Sequence, residues 1–204
     1  MDSTESIVGA TISALDSLGM EGPDAESIRH VIGMSPKESF QKLFPGVTGD
    51  DALQLRKKIR DFWLTDWRDK NRLIDGAERA IDELSEEGYL LAVATGKGRN
   101  GLRHDMERAG LTKRFLASRT ADDAASKPHP EMLLSLLDEL GARPEETLMI
   151  GDTTFDLEMA QNAGCASIGV LTGSHDRTLL MTCSPLAVLD SVGDLPAWLR
   201  EGEK

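Results

Sequence analysis

Thr147-Leu148-Met149-Ile150-Gly151-Asp152-Thr153-Thr154-Phe155-Asp156 holds two instructions in ten residues. Thr147 to Ile150 is a short, unbroken apolar run, the pattern of a strand covered on both faces. Gly151-Asp152-Thr153 then interrupts it with residues that start helices. Helical spacing runs from Phe155 to Ala163, and Gly164 stops it. A buried strand feeding straight into a helix is the repeating unit of a parallel α/β sheet.

The same rhythm extends in both directions from this stretch. Leu90 to Ala94 is a second apolar run, followed by a helix over Arg99 to Gly110. Phe115 to Ser118 is a weaker strand, and Pro130 to Leu140 is a helix opened by proline at its first position. Ala166 to Leu171 and Leu186 to Leu189 complete the strands, and Leu195 to Arg200 is a closing helix. The expected core is therefore a Rossmann-like parallel sheet of about five strands, spanning residues 75–204.

Upstream the pattern is helical throughout. Ile7, Ala10, Thr11, Ala14 and Leu18 keep helical spacing before Gly19, and Asp24 is placed to cap a second helix. Pro36 starts a third, and Pro45-Gly46 ends it. Asp50 to Arg72 is expected as one long helix with Leu53, Ile59, Phe62, Trp63 and Trp67 on its apolar stripe. Residues 4–74 thus form a separate helical domain, with Ile74-Asp75-Gly76 as the hinge.

Composition narrows the function classes. The 204 residues carry 23 Lys and Arg against 35 Asp and Glu, a net charge of −12. A strongly acidic chain is a poor nucleic-acid scaffold, because phosphate backbones attract basic surfaces. No apolar run reaches the ~18 residues of a membrane span. The acidic, polar start, Met1-Asp2-Ser3-Thr4-Glu5, is not that of a leader peptide. Two cysteines, Cys165 and Cys183, form no C-x-x-C pair and suit a reducing compartment. The chain reads as cytoplasmic, a monomer or homodimer.

Ligands of open parallel sheets bind beyond the carboxyl ends of the strands. The residues there are Thr95-Gly96-Lys97, Ser126-Lys127-Pro128 and Gly151 to Asp156. A hydroxyl with free N–H groups and a lysine are phosphate-binding groups. Two carboxylates four apart, Asp152 and Asp156, suit a hard cation such as Mg²⁺. Together they point to Mg²⁺-assisted chemistry on a phosphate. Singly, each has a plainer explanation: a turn, a solvated lysine, a helix cap. A competing pattern is Gly96-Lys97-Gly98-Arg99-Asn100-Gly101, a G-x-G-x-x-G run with Asp122 and Asp123 about 20 residues on, as in dinucleotide-binding loops. That pattern would leave Lys127, Asp152 and Asp156 without a role. A receiver domain needs Asp, Thr and Lys in that order, whereas here the order is Thr, Lys, Asp.

The three segments Val93-Ala94-Thr95-Gly96-Lys97, Ser126-Lys127-Pro128-His129-Pro130 and Ile150 to Asp156 resemble the second, third and fourth motifs of the haloacid dehalogenase-like superfamily, in its phosphoglycolate-phosphatase-like branch. The helical segment resembles that family's inserted cap, and Val31-Ile32-Gly33-Met34-Ser35 a turn common in such caps. The resemblance implies a Mg²⁺-dependent phosphatase of small phosphorylated metabolites, such as phosphoglycolate or sugar phosphates. It implies that Thr95 and Gly96 hold a phosphate oxygen and that Lys127, catalytic with Thr95, balances the phosphate charge. Asp152 would ligate Mg²⁺, and Asp156 would support the metal or orient Lys127.

One family element has no counterpart. The first motif, a strand ending in D-x-D-G-T-L, supplies the aspartate nucleophile and the general acid/base. No Asp-x-Asp occurs in these 204 residues, and Met1 to Val8 resembles the stretch just after that loop. A misplaced start, a truncation or a catalytically dead relative would each give this, so the chain is expected to be inactive as it stands. Its alternative reading is a non-catalytic phosphoanion-binding or interaction protein. The resemblance also places the missing strand mid-sheet, between the strands ending at Thr95 and Asp152, so the chain is expected to be marginally folded.

Overall fold

The computed structural model describes residues 1–202, and the chain divides into two compact units that part after Arg72. The first unit is helical. Helix α1 (Thr4–Leu18) ends at Gly19, whose left-handed φ of 61° turns the chain out of the helix. Helix α2 (Ala25–His30) is capped by Asp24, which accepts from the Ser27 N–H at 2.8 Å. Helix α3 (Pro36–Leu43) is capped by Ser35, with Pro36 at the position where a missing N–H costs nothing. Helix α4 (Gly49–Phe62) runs on into a π-helical turn, Trp63–Trp67, and a 3₁₀ turn, Arg68–Lys70.

Ala14, Leu15, Phe40, Phe44 and Leu55 make this unit's core. Two of the sequence expectations fail here. The single helix over 50–72 is broken by the π turn, and Leu53 is 66% exposed while Leu55 is fully buried. An apolar residue two positions along a helix lies on nearly the opposite side, so only one of the pair could face the core. Asp2 and Arg72 exchange backbone hydrogen bonds of 2.8 and 3.3 Å, so the unit begins and ends at one point.

The second unit alternates helix and strand: α5 (Ala77–Glu86), β1 (Ala92–Ala94), α6 (Arg99–Arg108), β2 (Ala117–Arg119), α7 (Glu131–Leu140), β3 (Leu148–Gly151), α8 (Thr154–Asn162), β4 (Ala166–Val170), α9 (Arg177–Met181), β5 (Ala187–Leu189) and α10 (Leu195–Gly202). Every strand pair is parallel. Successive side chains point to opposite faces, and the packing follows. Met149 joins Met132, Leu133 and Leu137 of α7 and Met159 of α8 on one face. Leu148 and Ile150 join Leu84 of α5 and Leu195 of α10 on the other. This is the α/β sandwich that the apolar runs predicted.

The sheet itself is not continuous. Among the described residues β1 pairs only with β2, while β3, β4 and β5 form a separate three-stranded sheet in that order. The two helical layers nonetheless span both sheets. Ala94 and Met149 pack against the same buried cluster on one face, and Leu91 and Leu148 against the other cluster. One edge of β1 and one edge of β3 have no strand partner among the described residues. Among those residues no helix is long and apolar enough to cross a membrane.

Candidate active site

The end of β3 sets the site. Gly151 closes the strand, and Thr153 is the N-cap of α8. Thr153 and Asp156 satisfy one another reciprocally. The Asp156 carboxylate accepts from the Thr153 N–H at 3.2 Å and from its hydroxyl at 2.7 Å, and the Asp156 N–H reaches the Thr153 Oγ1 at 3.4 Å. This arrangement brings Asp156 back against the strand. A Cβ on Gly151 would stand 2.1 Å from the Asp156 Cβ, so no larger residue fits before Asp152.

Lys127 reaches the same carboxylate from the loop after β2. Its Nζ lies 2.5 Å from the Asp156 Oδ1, and both side chains are 6% exposed. The loop is braced from behind, where the Asn162 side-chain amide donates to the Pro128 carbonyl at 2.9 Å. Both Asp156 oxygens are thereby engaged, one by lysine and one by Thr153.

Asp152 is differently placed. Its carboxylate accepts from the Ser174 N–H at 3.0 Å. Burial raises its pKa above the ordinary carboxylate value, and the negative charge of Asp156 raises it further; the Ser174 N–H and Lys127 oppose the rise. A half-buried carboxylate with so few donors has capacity for a cation. Mg²⁺ keeps several waters and is commonly held by one or two carboxylates together with a phosphate. Asp152 has the fewer donors of the two, whereas each Asp156 oxygen already has a partner. Among the described residues no three His, Cys, Asp or Glu side chains cluster to hold a metal by themselves.

Thr95 and Gly96 follow β1 at its carboxyl end. The Thr95 N–H continues the ladder to the Arg119 carbonyl at 2.9 Å, and its hydroxyl accepts from the Lys97 N–H at 3.2 Å. The structure thus brings Lys127 and Asp156 into contact, with Asp152 beside them at the end of β3. Among the described residues no hydrogen bond ties Thr95 or Gly96 to that group. Lys97 is occupied with Asp105, to which its ammonium is paired.

The dinucleotide pattern does not survive this geometry. Asp122, the residue such a loop would offer to a ribose, accepts from the Arg99 N–H at 2.7 Å. Asp123 accepts from the Thr120 hydroxyl at 2.6 Å and pairs with Arg99; the Thr120 hydrogen bond leads in holding its carboxyl below the ordinary range. Both acids brace the head of α6.

A group beyond the sequence motifs is the loop after β4. His175 is 4% exposed, and its Nδ1 accepts from the Thr154 N–H at 3.0 Å. Its own backbone N–H donates to the Asp152 carbonyl at 3.2 Å. Position after a strand was the only sequence signal for it.

Comparison with known proteins agrees with this architecture. The sequence profile described as haloacid dehalogenase-like hydrolase matches residues 1–170. The chain is 34% identical over 201 residues to the probable phosphatase IndB of Dickeya dadantii, covering 96% of this chain and 86% of that protein. It is 29% identical over 199 residues to the pyrophosphatase PpaX of Bacillus mycoides, covering 96% and 89%. A crystal structure of a hydrolase from Pseudomonas syringae superposes with a TM-score of 0.87 at 26% identity, over 98% of this chain and 92% of that one. With the strand-end motifs in order and the profile matched over most of its length, the chain belongs to the haloacid dehalogenase-like hydrolase family.

Proposed function

We propose that these residues form the phosphate- and Mg²⁺-handling half of a phosphatase site for small phosphorylated metabolites. The observation that carries the reading is the buried Lys127–Asp156 pair beside Asp152 at the end of β3. In this reading Lys127 is the cation that meets the substrate phosphate, held in aim by Asp156 and, through it, by Thr153. Asp152 anchors Mg²⁺, which when bound neutralises phosphate charge. Asp156 serves the lysine rather than the metal. Thr95 and the Gly96 N–H receive a phosphate oxygen at the end of β1. The substrate class follows from the resemblance and the relatives' names: phosphoglycolate-like esters, sugar phosphates, and pyrophosphate.

Phosphoryl transfer also needs an attacking group in line with the leaving oxygen. The 204 residues hold no Asp-x-Asp, so by themselves they bind phosphate without turning it over. The test is a panel of small phosphomonoesters and pyrophosphate with Mg²⁺, read both as binding and as phosphate release. Saturable binding without release is expected, with binding weakened in Lys127→Met combined with Asp156→Asn, which leaves no buried charge unpaired. Turnover that Asp152→Asn abolishes would disprove the inactivity. No binding of any phosphate, with or without Mg²⁺, would disprove the phosphate site. A non-catalytic phosphoanion-binding protein predicts the same binding. The two separate when a strand ending in Asp-x-Asp-Gly-Thr is added ahead of Met1, because only the phosphatase reading expects Mg²⁺-dependent release to appear.

A further inference from the structure

We infer that the loop after β4, residues 172–175, is a clamp that positions Asp152, with Gly173 and His175 as its two positioning residues. The inference rests on the reading of Asp152 as the cation anchor, and it adds residues from outside the strand-end motifs.

Three contacts define the clamp. The Ser174 N–H holds the Asp152 carboxylate at Oδ2. The His175 N–H holds the backbone carbonyl of the same residue. Gly173 closes the remaining side: a Cβ there would stand 1.8 Å from Asp152 Oδ2 and 2.2 Å from its Cγ. The carboxylate therefore lies against the bare Cα of Gly173, and any side chain would displace it.

His175 fixes the clamp to helix α8. The Thr154 N–H is one of the first donors of that helix and has no partner within the helix. It donates to the His175 Nδ1 at 3.0 Å, and the ring lies 5.7 Å from the Phe155 ring. One imidazole thus ties the loop after β4 to the helix that follows Asp152. Orientation of a metal-binding carboxylate by groups behind it commonly changes metal affinity by about 10- to 100-fold.

The test uses the 204-residue chain, Mn²⁺ as a paramagnetic substitute for Mg²⁺, and amide exchange followed by NMR. The Mn²⁺ arm compares wild type with Asp152→Asn, Gly173→Ala, His175→Leu and His175→Asn. Gly173→Ala and His175→Leu are expected to weaken Mn²⁺ binding by about 10- to 100-fold. His175→Asn, whose side-chain oxygen can accept where Nδ1 did, should recover most of the loss. The exchange arm needs no metal. The Thr154 amide should exchange about tenfold faster in His175→Leu and regain protection in His175→Asn, as loss of one hydrogen bond would give. The Ser174 amide should lose protection in Asp152→Ala. Mn²⁺ binding by Gly173→Ala equal to wild type would overturn the clamp, as would unchanged Thr154 exchange in His175→Leu. If Asp152→Asn binds Mn²⁺ as well as wild type, the cation role of Asp152 falls, while the exchange arm still decides whether the loop holds that residue.

Discussion

Lys127 and Asp156 are two opposite charges removed from water together. Desolvating them costs several kcal/mol apiece, and their attraction offsets this only while both are present and hydrogen-bonded. The Thr153 hydroxyl and N–H supply the remaining bonds to Asp156. Lys127→Ala should therefore destabilise the protein by about 3–5 kcal/mol, the cost of stranding a buried charge. Lys127→Met with Asp156→Asn should recover most of that, since Asn keeps an acceptor for Thr153 and no charge is left behind. Urea unfolding of the two variants checks both statements, and equal losses would refute the account. Asp152 has the opposite character. Its pKa is raised by burial and by Asp156. As pH rises past the ordinary value, 3.8, the unfolded chain gives up this proton first. Ionisation then favours unfolding until the higher folded value is passed. Asp152 thus lowers stability as pH rises above its ordinary value, and Asp152→Asn should be the more stable protein at neutral pH, with a flatter profile from that value up to neutral pH. Urea midpoints across that range measure it. Residues of this kind were legible in the sequence because their chemistry is stated by type and by position after a strand. The different surroundings of Asp152 and Asp156 were not, since they depend on which carboxylate folds back onto its own helix cap.

Element boundaries divide in the same way between local and tertiary causes. Gly19, Asp24 and Pro36 were readable as helix ends because the capping chemistry is local, and the structure places them so. The short helix α9 went unread, as five residues give too little periodicity to detect. The break after Phe62 was also hidden, because it depends on a contact 58 residues away in sequence. Gly9 of α1 lies under the Trp67 indole, so closely that a Cβ would stand 2.4 Å from the ring. The Ser6 hydroxyl donates to the Trp67 carbonyl at 3.1 Å, and the Lys70 ammonium sits 3.8 Å from the ring centroid on its own account. The π turn sets Trp67 against the one position of α1 without a side chain. In an ordinary helix Gly→Ala gains about 0.5–1 kcal/mol. Here overpacking at about 1–3 kcal/mol should outweigh that gain, so Gly9→Ala is expected to lose roughly 1–2 kcal/mol. Thermal unfolding followed by tryptophan fluorescence measures the change. A stabilised Gly9→Ala would mean that the indole moves aside at no cost.

Across the whole α/β unit, the seam between β1 and β3 decides stability. Strand β4 has partners on both edges, and residues 167–170 are buried. β1 and the first three residues of β3 are covered by helices on both faces, yet they are only half-buried. The difference is that β1 and β3 each have one edge with no strand partner among the described residues. Backbone N–H and C=O groups along an open edge need water or a new strand to satisfy them, and such edges pair with other chains. Leu91, Ala94, Leu148 and Met149, which belong to the two apolar clusters that bridge the seam, forgo part of the burial a filled sheet would give. A strand of three or four apolar residues in that place would bury side chains worth about 1.5–3 kcal/mol each. The sum is on the order of 5–10 kcal/mol, comparable with the whole stability of a typical domain. The 204-residue chain is therefore expected to unfold at a low temperature and to associate as its concentration rises. A version carrying an apolar, strand-forming segment ahead of Met1 should unfold cooperatively at a clearly higher temperature and stay monodisperse. Calorimetry with light scattering on the two proteins makes the comparison. Coincident transitions, with no association in either, would show that the seam is already satisfied and that the two sheets need nothing between them.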